Sequence, residues 1–318
     1  MQYGMLICLH SITGACKRLT KLGVLVAFIS TGFLVNSVAH AEIITLNHQH
    51  KQINARLSRA GDKALSQGVV LILHGALAHY DMELIRQIQQ LLQQSEQHSL
   101  AINLSLGIDK RQGMFDCQQA HYHRNQDAIE ELGVWIRWLE QQNVDTIHLL
   151  GHSRGGAQIA LFAANYPPAS IKSIVLLAPA TAVNTSEADY KKRHQQELGL
   201  LLREAHVLSQ QQPMALINNA GILFCTKTSV SAQTLLSYYT DPHLMDSVFL
   251  LNRITLPSLV VIAGDDEIVP DLGDRLATLS NRPHIQAYTV DSASHFFRDL
   301  NGEEAVERIV EFFHALKN

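Results

Sequence analysis

The chain has 318 residues, 47% of them hydrophobic, with 25 basic and 29 acidic residues and a formal net charge of −4. That length and apolar content support one large domain with a continuous core, or two small ones. The acidic balance excludes bulk electrostatic binding to nucleic acid or to an anionic membrane surface.

Lys17, Arg18 and Lys21 precede the apolar run Leu22 to Val35, and Ala39-His40-Ala41 follows. A basic region, an apolar stretch and an A-x-A site form the layout of a secretory signal peptide. Residues 1–41 are therefore expected to be removed, leaving a mature chain that begins at Glu42 in the periplasm or the medium. An apolar run of about 14 residues is short of the ~20 that a spanning helix needs, so no stable membrane anchor is expected after cleavage. Thr13-Gly14-Ala15-Cys16 resembles a lipoprotein processing site only faintly, because the basic cluster follows this cysteine. The mature chain keeps 22 basic against 29 acidic residues, a net charge near −7, and two cysteines, Cys117 and Cys225. In an oxidising compartment these two can form one disulfide. Two separate buried thiols are the alternative, since spacing alone does not bring the Cα atoms within bridging distance.

Ile43 to Leu46 and Gln52 to Leu57 alternate apolar and polar residues and predict a short antiparallel hairpin at a sheet edge. The period then changes. Val69 to Leu73 is a continuous apolar strand, Met82 to Gln93 has helical spacing, Leu100 to Leu106 is a strand and Asn125 to Gln141 a helix. Thr146 to Leu150 is the next strand, and the helix after it runs to about Tyr166, where Pro167-Pro168 ends it. Ile171 to Leu177, Ser258 to Ala263 and Ile285 to Val290 are further strands, and Glu303 to Leu316 is a closing helix. Strands without alternation, separated by helices, predict a doubly wound, mostly parallel α/β sheet covered on both faces. The segment from about Thr181 to Leu256 is too long for a plain strand-to-helix connection. With predicted helices over Ala188 to Gln210 and Ser231 to Tyr239, it reads as a helical cap insertion. The leucines of the first cap helix read as the cap's own core, with an acyl-chain surface as the alternative.

Between the strand ending at Leu150 and the helix that follows stands Gly151-His152-Ser153-Arg154-Gly155-Gly156. A serine at the apex of a strand-to-helix turn adopts a strained backbone conformation that small neighbours on either side permit. The helix also aims its first N–H groups at the place where an oxyanion would form. A serine hydroxyl needs a base, and the base needs a carboxylate to hold its tautomer. In such a sheet, reactive groups gather at the carboxyl ends of the strands. Of seventeen histidines, His295 alone follows a late strand in a loop before the last helix, whereas His284 opens a strand and His314 sits in the terminal helix. The acid loop after Ala263 offers three adjacent carboxylates, Asp265, Asp266 and Glu267. Asp116, Cys117, His121 and His123 lie close in sequence and could be drawn as a metal site, but a polar loop at the rim of a pocket is the favoured reading. A Cys117 to Cys225 bridge would tie that loop to the cap.

These motifs together resemble the α/β-hydrolase superfamily, in its serine esterase and serine aminopeptidase-like branch. The resemblance spans residues 69 to 316. It implies the α/β-hydrolase fold and, through the pattern Asp-x-x-Val-Pro, singles out Asp266 as the acid. It matches Ser294-His295-Phe296 to the histidine loop, with Ser292 where a glycine is usual. It also implies that the backbone N–H groups of Ala76, in His74-Gly75-Ala76, and of Arg154 form an oxyanion hole, leaving His74 a structural residue. The order Ser153, Asp266, His295 is that of the superfamily. The expected activity is hydrolysis of a carboxylic ester or thioester of a small-molecule acyl substrate, without metal or cofactor. A serine aminopeptidase-like amidase and a catalytically silent binding or assembly protein are the competing expectations.

Overall fold

The computed structural model describes residues 41–165 and 167–316. The expected signal peptide lies outside the described residues except for Ala41, as does the predicted helix end at Tyr166. Eight strands form one sheet: β1 Glu42–His48, β2 Lys51–Ser58, β3 Val69–Leu73, β4 His98–Asn103, β5 Ile147–His152, β6 Ile171–Leu177, β9 Ser258–Ala263 and β10 Ile285–Val290, in the spatial order β1-β2-β4-β3-β5-β6-β9-β10. β2 pairs antiparallel with both β1 and β4, and every pairing from β4 to β10 is parallel. The predicted doubly wound sheet with an antiparallel edge hairpin is the architecture found.

Period-two alternation sends neighbouring side chains to opposite faces, and both faces are covered. Leu71, Leu73 and Leu149 point to a core shared with α2 (Asn125–Gln141) and α3 (Arg154–Asn165). Val70, Ile72 and Leu150 point to a second core, shared with α1 (Glu83–Gln94) and α9 (Leu300–Ala315). Two strands depart from their predicted form. β4 is displaced toward the N-terminus because β3 pairs Val69 with His98 and Leu73 with Ile102, so Leu104 and Leu106 fall in the loop beyond. β10 is an edge strand with Gln286, Ala287 and Thr289 exposed.

The insertion between β6 and β9 is not all helical. α4 (Glu187–His194) and α5 (Leu198–Gln211) replace the single predicted helix, because Gln195 takes a left-handed conformation, φ 57°, and ends the first. A two-stranded antiparallel hairpin, β7 (Leu216–Ile222) with β8 (Cys225–Ser231), follows. α6 (Ala232–Tyr239) is capped by the Ser231 hydroxyl, which accepts from Thr234 N–H, and α7 (Ser247–Leu251) leads back toward the sheet. Leu198 and Ala205 are buried in the insertion's core while Leu200 and Val207 are exposed, so the leucine-rich helix feeds that core on one face only. Leu77 and Phe115 join the same cluster, which seats the insertion on the loops that leave β3 and β4. Among the described residues no helix is long and apolar enough to cross a membrane.

Candidate active site

Ser153 sits between β5 and α3 with φ 54°, a left-handed backbone that costs free energy for any residue with a Cβ. Ser153 N–H donates to Leu177 O at 2.9 Å and Ala180 N–H to Ser153 O at 3.1 Å, so β6 and the loop beyond it hold the strained turn. The flanking glycines are steric requirements. A Cβ on Gly151 would stand 2.5 Å from Gly155 O, and one on Gly155 would stand 2.3 Å from His74 O.

His295 and Asp266 arrive from the two loops that follow β10 and β9. His295 Nε2 lies 2.9 Å from Ser153 Oγ, and its Nδ1 lies 2.9 Å from Asp266 Oδ2. Asp266 Oδ1 accepts the backbone N–H groups of Ile268 and Val269, each at 2.8 Å. Burial alone would raise the Asp266 carboxyl, but the hydrogen bond and charge of His295, with those two N–H groups, outweigh it and hold the group below its ordinary value. An ionised carboxylate only accepts, so His295 Nδ1 carries the proton and Nε2 offers a lone pair to the serine hydroxyl. Asp265 and Glu267 are exposed. Glu267 touches the loop only at the backbone, accepting His295 N–H at 3.4 Å. The two loops can approach because position 264 is glycine; a Cβ there would stand 1.9 Å from Asp291 O. Ser292 does not have a positive φ, so a serine is tolerated at that place.

Ala76 and Arg154 line one pocket with Ser153 and His295, a cavity of about 230 Å³. Its walls are apolar at Met82, Met114, Leu223, Phe224, Ile268 and Phe296. His74 lies beneath the loop: its Nδ1 donates to Gly75 O at 2.8 Å and its Nε2 accepts Leu104 N–H at 3.2 Å. Burial, with the nearby Arg111 charge, lowers His74 to about 3, so the ring is neutral and braces the turn.

The family model described as serine aminopeptidase, S33 matches residues 65–299, well over half of the chain. The chain belongs to this family. Among solved structures, Est1E from Butyrivibrio proteoclasticus is similar at 16% identity and a TM-score of 0.59, covering 86% of this chain and 98% of its own. The monoacylglycerol lipase of Paleococcus ferrophilus is 19% identical with a TM-score of 0.57, covering 83% and 99%. The siderophore hydrolase EstB of Aspergillus fumigatus is 12% identical with a TM-score of 0.63, covering 89% and 99%. Such identities show the shared α/β-hydrolase fold alone. No curated protein matches in sequence.

Within this serine aminopeptidase family frame, the structure brings Ser153, His295, Asp266, Ala76 and Arg154 to one place. It bonds Cys117 to Cys225, with their Cα atoms 5.4 Å apart. His121 and His123 lie beside that bridge as a neutral pair. Burial lowers His121 to about 4 and His123 well below its ordinary value. His121 Nδ1 and His123 Nε2 are 3.1 Å apart, and His123 Nδ1 is 2.7 Å from Tyr238 Oη.

Two arginines carry weight that motif reading did not assign. Arg111 is buried and donates to Leu104 O at 2.6 Å, Ala78 O at 2.7 Å and Asn103 Oδ1 at 2.8 Å, tying the Ala76 loop to the loop after β4. Arg154 sends its side chain against the insertion, its guanidinium 4.3 Å from the centre of the Tyr238 ring. No motif marks either one, because Arg111 reaches back to Ala78 and Arg154 forward to Tyr238, contacts that only the folded chain brings together.

Proposed function

We propose that the protein is an exported serine hydrolase that cleaves a carboxylic ester or thioester through an acyl-enzyme intermediate. The observation that carries this reading is the continuous hydrogen-bonded line from Ser153 Oγ through His295 to Asp266. In the proposed mechanism Ser153 Oγ attacks the acyl carbon as His295 Nε2 takes its proton. The resulting oxyanion accepts from Ala76 N–H and Arg154 N–H, and its collapse expels the alkoxide or thiolate, to which His295 returns the proton. Water then repeats the cycle on the acyl-enzyme and frees the acid. Each oxyanion donor contributes roughly 3 kcal/mol to such a transition state.

The family's name also raises an aminopeptidase reading. A free α-ammonium group needs an anionic partner, and among the described residues no Asp or Glu lines the pocket, whereas Arg154 and Arg193 do. That balance favours an ester or thioester over an N-terminal aminoacyl amide. Export is supported by the layout of residues 17–41 and by a disulfide suited to an oxidising compartment. Labelling by a fluorophosphonate probe that disappears in Ser153→Ala tests the nucleophile. A wild-type protein that stays unlabelled would leave the silent binding protein as the better reading. Nitrophenyl esters turned over faster than aminoacyl-nitroanilides support the esterase, and the reverse order would replace it with the amidase.

A further inference from the structure

Arg154 is only 6% exposed, yet its side chain meets two neutral groups: the Tyr238 ring, and Asn125 Oδ1 at 3.2 Å from its Nη2. Its Nε is buried with no hydrogen-bond partner. Among the described residues no carboxylate stands within ion-pair distance of it. A buried charge without a counter-charge costs several kcal/mol, on the order of the effective penalty for any desolvated ion, and such a group calls for an explanation.

The surroundings point to an anion. Arg154 borders both the pocket that holds Ser153 and a smaller void beneath the Ala76 loop, which share Gly75, Ala76 and Leu223. Arg193 enters the same pocket and donates to Asn184 O at 3.2 Å. It is close enough that its charge, after burial, helps to lower the Arg154 guanidinium. Arg193 is paired with Asp189, so it is the weaker cation of the two, and Arg154 is the one without a counter-charge. A monoanion would balance it, where a phosphate dianion would leave excess negative charge.

We propose that the substrate is an ester or thioester carrying a carboxylate a few atoms from the scissile carbonyl, with Arg154 as the cation that selects it and Arg193 as a second attraction. The apolar residues Met82, Met114, Leu223 and Phe224 would then enclose the carbon chain between the reacting carbonyl and this anionic end. This substrate class rests on the serine hydrolase reading above.

The test uses two matched pairs on the mature protein: the nitrophenyl hemiester of glutarate against nitrophenyl butyrate, and butyryl glycolate against ethyl butyrate. The expected result is a kcat/KM at least tenfold higher for the anionic member of one pair. That advantage should shrink at least tenfold in Arg154→Met, survive in part in Arg154→Lys, and fall several-fold in Arg193→Met. The last variant keeps the question answerable if Arg154→Met does not fold. Neutral esters that match or exceed their anionic partners in both pairs overturn the proposal, as does an advantage that persists in both Met variants. In either case fluorophosphonate labelling and neutral-ester turnover would persist, leaving the hydrolase reading intact. No turnover of any ester together with no labelling would remove that reading and the substrate class with it.

Discussion

His152 Nε2 donates to the carbonyl oxygen of His295 at 2.9 Å, so the residue before the candidate nucleophile holds the backbone of the candidate base. A carbonyl only accepts, which fixes the proton on His152 Nε2 and leaves Nδ1 a lone pair without a partner in the core. Burial, and then the proximity of His295, lowers His152 to about 3, so it stays neutral through the working range. His152→Phe keeps the ring and removes the donor. One orienting hydrogen bond is worth ~1–1.5 kcal/mol, so kcat/KM should fall by about tenfold, with a matching loss in the rate of fluorophosphonate labelling. Unchanged labelling would mean that the His295 loop holds its position without this bond.

Asp266→Asn should be far more damaging than its small change in shape suggests. Ile268 N–H and Val269 N–H both donate to Asp266 Oδ1, so the asparagine carbonyl will occupy that position and its NH2 will face His295. Donation from that NH2 forces the proton of His295 onto Nε2, where it can no longer receive one from Ser153. A wrong tautomer of this kind lowers kcat by about 10⁴-fold. Asp265→Asn is the control: Asp265 is exposed, and its variant should stay within about twofold of wild type, as surface substitutions commonly do. Equal losses in the two would refute the assignment of Asp266.

What the chain displayed in advance follows physical lines. Strands such as Val69–Leu73 and Ile171–Leu177 were legible because burial on both faces demands unbroken apolar runs. Ser153 and His295 were legible because chemistry at strand ends leaves local signatures. Asp266 could not be separated from Asp265 and Glu267 by residue type, and only the family pattern chose it. The β7–β8 hairpin escaped because Asn218-Asn219 and Thr226-Lys227-Thr228 lack strand alternation. Arg111 and Tyr238 escaped because their partners, Ala78 and Arg154, are remote in sequence.

Four of the buried histidines, His74, His121, His123 and His152, set the acid limit of the fold. His74 and His152 are lowered to about 3 and His121 to about 4, chiefly by burial, and His123 well below its ordinary value. Above the unfolded value of 6.5 both states are neutral at these sites and nothing is lost. As pH falls below it, the unfolded chain takes up protons that the folded chain refuses, so stability drops. Each site contributes ~1.4 kcal/mol per pH unit, or about 6 kcal/mol for the four at about pH 5.5. The depressed Asp266 carboxyl acts in a separate window: its stabilisation is present above the unfolded carboxyl value of 3.8 and is lost only below it. Urea unfolding between about pH 7.5 and 5 should show this loss, and His152→Phe should make the slope shallower by about one proton. Stability independent of pH over that range would contradict the burial of these rings.

The bridge between Cys117 and Cys225 closes 108 residues of chain, and its neighbours say what it controls. Thr228 Oγ1 donates to Cys117 O at 2.7 Å, His121 N–H to Ser229 O at 2.8 Å and Ser231 N–H to His121 O at 2.9 Å, so the loop after Cys117 is held against β8 by a single bridge between His121 and Val230. Met114 precedes this segment and Leu223 and Phe224 precede Cys225, and all three line the Ser153 pocket. The double variant Cys117→Ser, Cys225→Ser frees the unfolded chain from a loop whose closure is worth up to ~4.7 kcal/mol in the entropic account, and typical measured losses are about 2–4 kcal/mol. A lower Tm follows. Because the rim loosens while Ser153, His295 and Asp266 keep their own supports, KM should rise more than kcat falls. Intact-mass alkylation of the denatured chain from Glu42 onward, without reductant, should label no thiols in wild type. Two labels in wild type would show that the bridge is absent, and an unchanged Tm in the double variant would show that it does not secure the insertion.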